Sequence, residues 1–376
     1  MSTTTTAERG PLGTGPASIL VAEREITTQV RSRSFVISLL ISVLIMGGGI
    51  LLMGLIGGDD EDPTEVAVVG DAGSTLQDGE QLEAAGMDPV AAENRQEAEQ
   101  LLRDEQVEAI LLPDQDSPVG AVVIGLDEEP TDVAQLLSVS PPTEVLEETG
   151  TDGAERFLVP ILFGLVFMVL SMGSGMMIMQ NTVQEKQSRI VEILLAAISS
   201  RALLIGKILG NSVLALGQAI VLGAASALAL MLSGQQDLLD MLTVPMLWFV
   251  VFFLPGFVLV ASVFAASAAL VSRQEDIGSV VTPAMMMVML PYFAVVFFYD
   301  NSLIMTIASY VPFSAPVAMP VRMFFNEAQW FEPALTLGLL AITTAVFALA
   351  AAKIYSRSLL RTGQRVSLRQ ALSTRD

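Results

Sequence analysis

"QEKQSRIVEILLAAISSRALLIGKILG", residues 184–210, lies between two long and almost uncharged apolar runs. It carries Glu185, Lys186, Arg189, Glu192, Arg201 and Lys207. Ile190, Ile193, Leu194, Ala197 and Ile198 fall at i, i+3, i+4, i+7 and i+8, the spacing of one helical face. Glu185 and Arg189 lie four apart, and Arg189 and Glu192 three apart, so charges can pair along the opposite face. "ISS" then interrupts the pattern, and Ser199 or Ser200 is placed to cap a second helix that begins at Arg201. The stretch predicts a surface helix, a turn and the start of a membrane span. On this reading Ile190, Ile193 and Leu194 pack inward and Glu192 faces out. Such a helix serves either as an anchor among lipid headgroups or as a dock for a soluble partner.

Working outward, six segments are long and apolar enough to cross a hydrocarbon core of about 30 Å. They cover residues 35–56, 157–180, 208–232, 247–271, 277–298 and 334–352. The first is too long for the apolar part of a signal peptide and is followed by "GGDDEDP", which predicts a signal anchor. Lys and Arg set the orientation. Arg24, Arg31, Arg33, Lys186, Arg189, Arg201, Lys207, Arg273, Lys353, Arg357, Arg361, Arg365, Arg369 and Arg375 fall on one set of flanks. The opposite flanks hold an acidic region, "GQQDLLDM" and residues 299–333, where Arg322 is the only basic residue, and Arg156 stands at the outer mouth of the second span. Six alternating spans satisfy this division with both termini in the cytoplasm.

The net charge of −21 is unevenly distributed. Residues 59–155 hold 27 acidic and two basic residues, and the remainder holds 13 acidic and 17 basic. Without a broad basic face, nucleic-acid binding is not expected. The chain has no Cys and no His, which removes disulfides, thiolate and imidazole catalysis, and His-based metal sites. No catalytic, cofactor-binding or metal-ligating residue is assigned. The acidic residues, including the run Asp59 to Asp62, form no calcium-loop pattern. No G-x-x-x-x-G-K-[ST] phosphate loop occurs, and "MGGGILLMG" (46–54) is a packing pattern inside a span. The spans hold essentially no ionisable residues in their interiors, which argues against a proton-driven antiporter. Asn181, Asn211 and Gln218 read as hydrogen-bonding groups between helices. The Met-rich runs "SMGSGMMIMQ" and "PAMMMVMLP" read as adaptable packing, and Pro255, Pro283 and Pro291 are candidate kinks within spans.

Two segments between spans carry structure of their own. In the acidic region, "EVAVVGD", "VEAILLPD" and "VGAVVIGL" read as strands and "AAENRQEAEQLLRDEQ" as a helix, which predicts a small α/β domain. Near the end of the chain, "YVPFSAPVAMPVRMFFNEAQWFEP" (310–333) spaces Pro312, Pro316 and Pro320 four apart among apolar residues. It is too apolar for a solvated loop and too short to span. It predicts a segment dipping into the outer leaflet or capping the bundle, with Trp330 at the interface and Arg322 and Glu327 at headgroup level.

The order and spacing of these motifs resemble the ABC-2 type transporter permeases, in particular the sodium-efflux (NatB-like) branch with a large extracytoplasmic domain. Glu185, Lys186, Glu192, Ile193, Leu194, Leu195, Gly206 and Lys207 match that family's loop between spans two and three. The usual "SP" turn is replaced by Ala197-Ile198-Ser199-Ser200. "YVPFSAP" resembles its outer segment before the last span. "SRQEDIGSVVTPAMM" resembles its loop into span five, with Glu275 and Pro283 in the matching places. "ASILVAEREITTQVRSRS" (17–34) resembles its amphipathic elbow helix.

The resemblance implies an α-helical membrane protein of the type-2 exporter permease fold. Its parts would be a cytoplasmic N-terminus with the elbow (1–34), an extracytoplasmic α/β domain (57–156), a coupling-helix loop (181–207), a re-entrant outer segment (299–333) and a cytoplasmic tail (353–376). It implies no enzymatic activity in this chain and a separate P-loop ATPase docking on Glu185, Lys186, Arg189, Glu192, Leu195 and Arg201. It also implies a second permease copy, as a homo- or heterodimer, in the plasma membrane of a prokaryote. Sodium ion, a drug or peptide, or a lipid-linked molecule is the expected cargo of such an efflux system. The alternative is a membrane-anchored sensor or assembly protein with a ligand-binding outer domain.

Overall fold

The structure is a computed structural model that describes residues 13–56, 64–69, 87–104, 106–113, 121–126, 154–188 and 190–358. Arg189, the run Asp59 to Asp62 and the tail after Ser358 lie outside the described residues. Two compact units divide the chain, one from residues 1–54 with 149–376 and the other from residues 55–148.

The larger unit is helical. Its elements are α1 (Thr14–Val30), α2 (Arg33–Ile56), α4 (Ala154–Gln187), α5 (Ile190–Ala197), α6 (Ser200–Leu232), α7 (Gln236–Leu270), α8 (Ile277–Phe297), α9 (Ser302–Tyr310), α10 (Ala315–Phe324) and α11 (Glu332–Ser358). Among the described residues, α2, α4, α6, α7, α8 and α11 are long and apolar enough to cross a membrane. Helix α7 is the hub, with 61% of its most apolar stretch buried. Its Phe249, Phe253, Phe257 and Phe264 enter the main core, and Phe163 and Phe167 of α4 meet Phe249 and Phe253 edge-on at 5.1 and 5.8 Å. Rings stacked one turn apart are the dispersion-rich filling that a bundle needs where no hydrophobic drive separates helix from lipid.

Several helices exceed their apolar cores. Helix α4 continues to Gln187 and α7 begins at Gln236, so Glu185 and Lys186 sit on the last turn of α4 and "QDLLDM" is helical. Ser199 caps α6, its hydroxyl accepting from the Ala202 amide at 3.2 Å.

The smaller unit contains β1 (Thr64–Val69), β2 (Met87–Ala92), α3 (Arg95–Arg103), β3 (Ala109–Pro113) and β4 (Ala121–Ile124). The strand order is β2-β1-β3-β4, with β1 parallel to both β2 and β3, and β3 antiparallel to β4. Ala98 and Leu102 of α3 close a core with Ala67, Ala92, Val107 and Ile110. Asn94 caps α3 through the Glu97 amide, and Glu97 accepts in return from the Glu93 amide.

Candidate functional site

One end of the bundle gathers α1, α5, the start of α6 and the ends of α4, α7 and α11. Helix α1 lies along α6 on a surface made for close approach. A Cβ on Gly206 would sit 2.5 Å from Val21 Cβ and 2.6 Å from the Ser18 carbonyl oxygen. One turn on, a Cβ on Gly210 would stand 2.9 Å from the Ala22 carbonyl oxygen. Only glycine admits α1 at this distance. The buried face of α1 is correspondingly small and polar, with Ala17, Ser18, Val21 and Glu25.

Between the two glycines stands Lys207, 1% exposed. Its ammonium lies 3.0 Å from Glu185 Oε2 and 3.6 Å from Glu25 Oε1. Arg24 donates to Glu25 at 2.8 Å and to Glu185 at 3.0 Å. The approach of Lys207 to Glu185 is an ion contact whose angle makes no hydrogen bond, so its strength is Coulombic. Two cations and two carboxylates balance, which is the condition for keeping charge out of water. Asn211, a turn beyond Lys207, accepts from Gln29 of α1 at 2.9 Å and donates to the Lys207 carbonyl. Tyr355 of α11 is fully buried in the main core.

Lys186 points the other way. It is 2% exposed and donates to the carbonyls of Ala269 at 2.8 Å and Val271 at 3.0 Å. These are end-of-helix acceptors of α7, which a lysine satisfies both by hydrogen bonding and by its charge at the negative pole of the helix. The last turn of α4 is thus bolted to α7 by Lys186 and to α1 and α6 by Glu185.

Helix α5 projects from this mount. Val191 is its buried residue, and Leu194, Leu195 and Ile198 pack partly against the main core. Ile193 is 73% exposed, and Ile190 and Glu192 are exposed as well. The expected inward face of Ile190, Ile193 and Leu194 is therefore wrong for the two isoleucines. The helix is rotated so that Val191 enters the core, because the turn at Ser188 lets α5 restart out of register with α4. Arg201 is exposed on the first turn of α6. Of the six expected docking residues, Glu192 and Arg201 face outward and Leu195 is half-buried. Glu185 and Lys186 face inward, and Arg189 lies outside the described residues.

The opposite end of the bundle has its own charged core. Helices α9 and α10 fold back against it, with Pro316 and Pro320 buried and Pro312 half-buried. Arg322, expected at headgroup level, is 4% exposed. It pairs with Glu332 Oε2 at 3.1 Å, donates to Ser309 Oγ at 2.8 Å and to the Glu327 carbonyl at 3.1 Å. Glu332 also accepts from Tyr310 and from the Gln329 amide, each at 3.0 Å. Arg322 is held inside the fold because a carboxylate and two neutral acceptors lie within reach of its guanidinium. Trp330 is 91% exposed.

A family model described as ABC-2 family transporter protein matches residues 33–353, taking in every helix of the bundle but α1 in whole or large part. The chain belongs to the ABC-2 family of transporter proteins. That family description and the long apolar helices together mark it as a multi-pass membrane protein of a transporter family. This ABC-2 protein is 25% identical over 266 residues to the uncharacterized protein YhaP of Bacillus subtilis (strain 168), covering 65% of this chain and 62% of that one. It is 26% identical over 218 residues to the uncharacterized protein MJ1024 of Methanocaldococcus jannaschii, covering 57% of this chain and 53% of that one. In both cases the chain spans less than two thirds of the relative's length. No solved structure matches.

Proposed function

We propose that this chain is the permease subunit of an ATP-driven exporter whose ATPase is a separate P-loop polypeptide docking on α5. The supporting observation is the contrast between α5 and its mount. A short helix outside the long apolar ones presents Ile190, Glu192 and Ile193 outward. Its base is fixed by buried Lys186 and the Glu185 cluster. Exposed isoleucines beside a charge on a rigid base suit a protein partner. In this reading Glu192, Ile193, Arg201 and Arg189 contact the ATPase, Leu195 supports them, and Glu185 and Lys186 position the helix from behind.

The lysine and arginine distribution supports six spans with cytoplasmic termini in a prokaryotic plasma membrane, and the two relatives are bacterial and archaeal. That orientation makes residues 57–156 an extracytoplasmic domain and α9–α10 a re-entrant outer segment. Two copies, identical or paired with a related chain, would frame the pathway. The sodium-efflux branch is favoured by the large domain after the first span. Sodium ion, a drug or peptide, and a lipid-linked molecule are the substrate classes to assay.

The test is co-purification of the P-loop ATPase encoded beside this chain, with ATP-dependent transport, at expression equal to the parent. Glu192→Ala and Ile193→Ser should each lower both, because the first strands a partner charge and the second empties a contact. Unchanged docking in both variants would favour α5 as a lipid anchor.

A further inference from the structure

The bundle holds its long helices unequally. Only 6% of the most apolar stretch of α2 is buried, against 22–61% for the other five. Val36, Ile37, Leu40, Ile41, Leu44 and Ile45 are exposed, and Val43 and Met46 touch the main core only at its margin. The position of α2 is therefore set largely by what precedes it. Helix α1 joins α2 through Arg31 and Ser32 alone. That link is hydrogen-bonded throughout, from Arg31 N to Thr27 O at 3.2 Å, Ser32 N to Gln29 O at 2.9 Å and Val36 N to Ser32 O at 3.3 Å. A two-residue link closed this way passes a rotation on instead of absorbing it.

Helix α1 is in turn held by charge. Its Arg24 and Glu25 engage Glu185 of α4 and Lys207 of α6, and Gln29 engages Asn211 of α6. Glu185 stands on the last turn of α4, directly ahead of α5. Apolar faces can slip past one another at small cost. A balanced set of charges resists slipping, because moving one member leaves the buried Lys207 or Glu25, 1% and 8% exposed, without its counter-charge.

We propose that α1 is a charge-latched lever: the cluster Arg24–Glu25–Glu185–Lys207 passes displacement of the α4–α5 corner to α2, the long helix least held by the bundle. The source of that displacement rests on the docking reading of α5, whereas the latch does not. Packed elements joined by such contacts switch between discrete arrangements, so α2 is the span that responds when α5 is pushed.

The chain has no cysteine, so spin labels can be placed at Leu44→Cys on α2 and Leu247→Cys on α7, both exposed positions. Distances between them are read by pulsed electron resonance on the full chain in lipid nanodiscs, with labelled chain diluted into unlabelled chain so that each distance lies within one copy. With the chain alone, the parent should give one narrow distribution, and Lys207→Met and Arg24→Gln should broaden it. Lys207→Arg, which keeps the charge, should stay narrower than Lys207→Met. Arg24, whose side chain is 42% exposed, carries the test if the Lys207→Met chain does not fold. With the neighbouring P-loop ATPase, ATP and vanadate added, the parent distance should shift, and the two latch variants should lose the shift. Unchanged widths in both variants would overturn the latch, and a bound ATPase that leaves the parent distance unmoved would overturn the lever. An ATPase that does not bind the parent would refute the docking reading instead, and the chain-alone arm would still decide the latch.

Discussion

Arg322 shows how far a single residue departs from its sequence signal. A lone arginine among prolines and aromatics reads as a headgroup contact, since nothing within a few residues answers its charge. Its partner Glu332 is ten positions on, at the start of α11, and only the turn back from α10 unites them. The same holds for Lys207, whose partners sit on α1 and α4. Lys186 bonds to carbonyls more than eighty residues away, acceptors that no side-chain pattern reveals. Arg322→Ala should destabilise the chain by about 3–5 kcal/mol, because the Glu332 carboxylate is left buried without its charge. Thermal unfolding of the purified protein in detergent checks this, and a Glu332→Gln variant should lose less than Arg322→Ala. Equal stability of Arg322→Ala and parent would mean that the outer cluster is hydrated.

At the scale of elements, length and apolarity were enough to locate the long helices, because a run of some twenty apolar residues has few other uses. Their ends were not legible. Residues such as Gln184, Gln187, Gln236 and Asp237 carry no apolar signal, yet they continue helices whose backbone has already been nucleated. Strand β2 was also missed, since "MDPVAA" offers an aspartate, a proline and two alanines, all poor strand formers. It is tolerable as an edge strand because its pairing runs to β1 alone. The α1–α6 contact was not legible: "GKILGN" reads as the opening of a span, and only the fold shows that Gly206 and Gly210 seat α1. Gly206→Leu should push α1 off α6 at a cost of roughly 1–3 kcal/mol. Ser18→Cys, at a position 3% exposed, should be unreactive to maleimide in the parent and become reactive in the Gly206→Leu background. Lack of reactivity in both would show that α1 adapts without leaving its seat.

For the whole molecule, the proposed orientation rests on where lysine and arginine fall along the chain. One end of the bundle carries four interlocked charges and α5, and the other carries Arg322 with Glu332 and Arg156 beside Asp300. Single cysteines at Gln236 and Ser302 should react with an impermeant thiol reagent in intact cells, and one at Ser188 should react only after lysis. Labelling of Ser188→Cys from outside would invert the topology and remove α5 from reach of any cytoplasmic partner.

The central claim, that a separate ATPase seats on α5, is tested most directly by crosslinking. In membranes containing the chain and the neighbouring P-loop ATPase, a photoreactive probe attached at Ile193→Cys should give an adduct of their combined mass. The same probe at Ser302→Cys, at the opposite end of the bundle, should give none. An adduct from Ser302→Cys, or its absence from Ile193→Cys while ATPase and chain co-purify, would contradict the account.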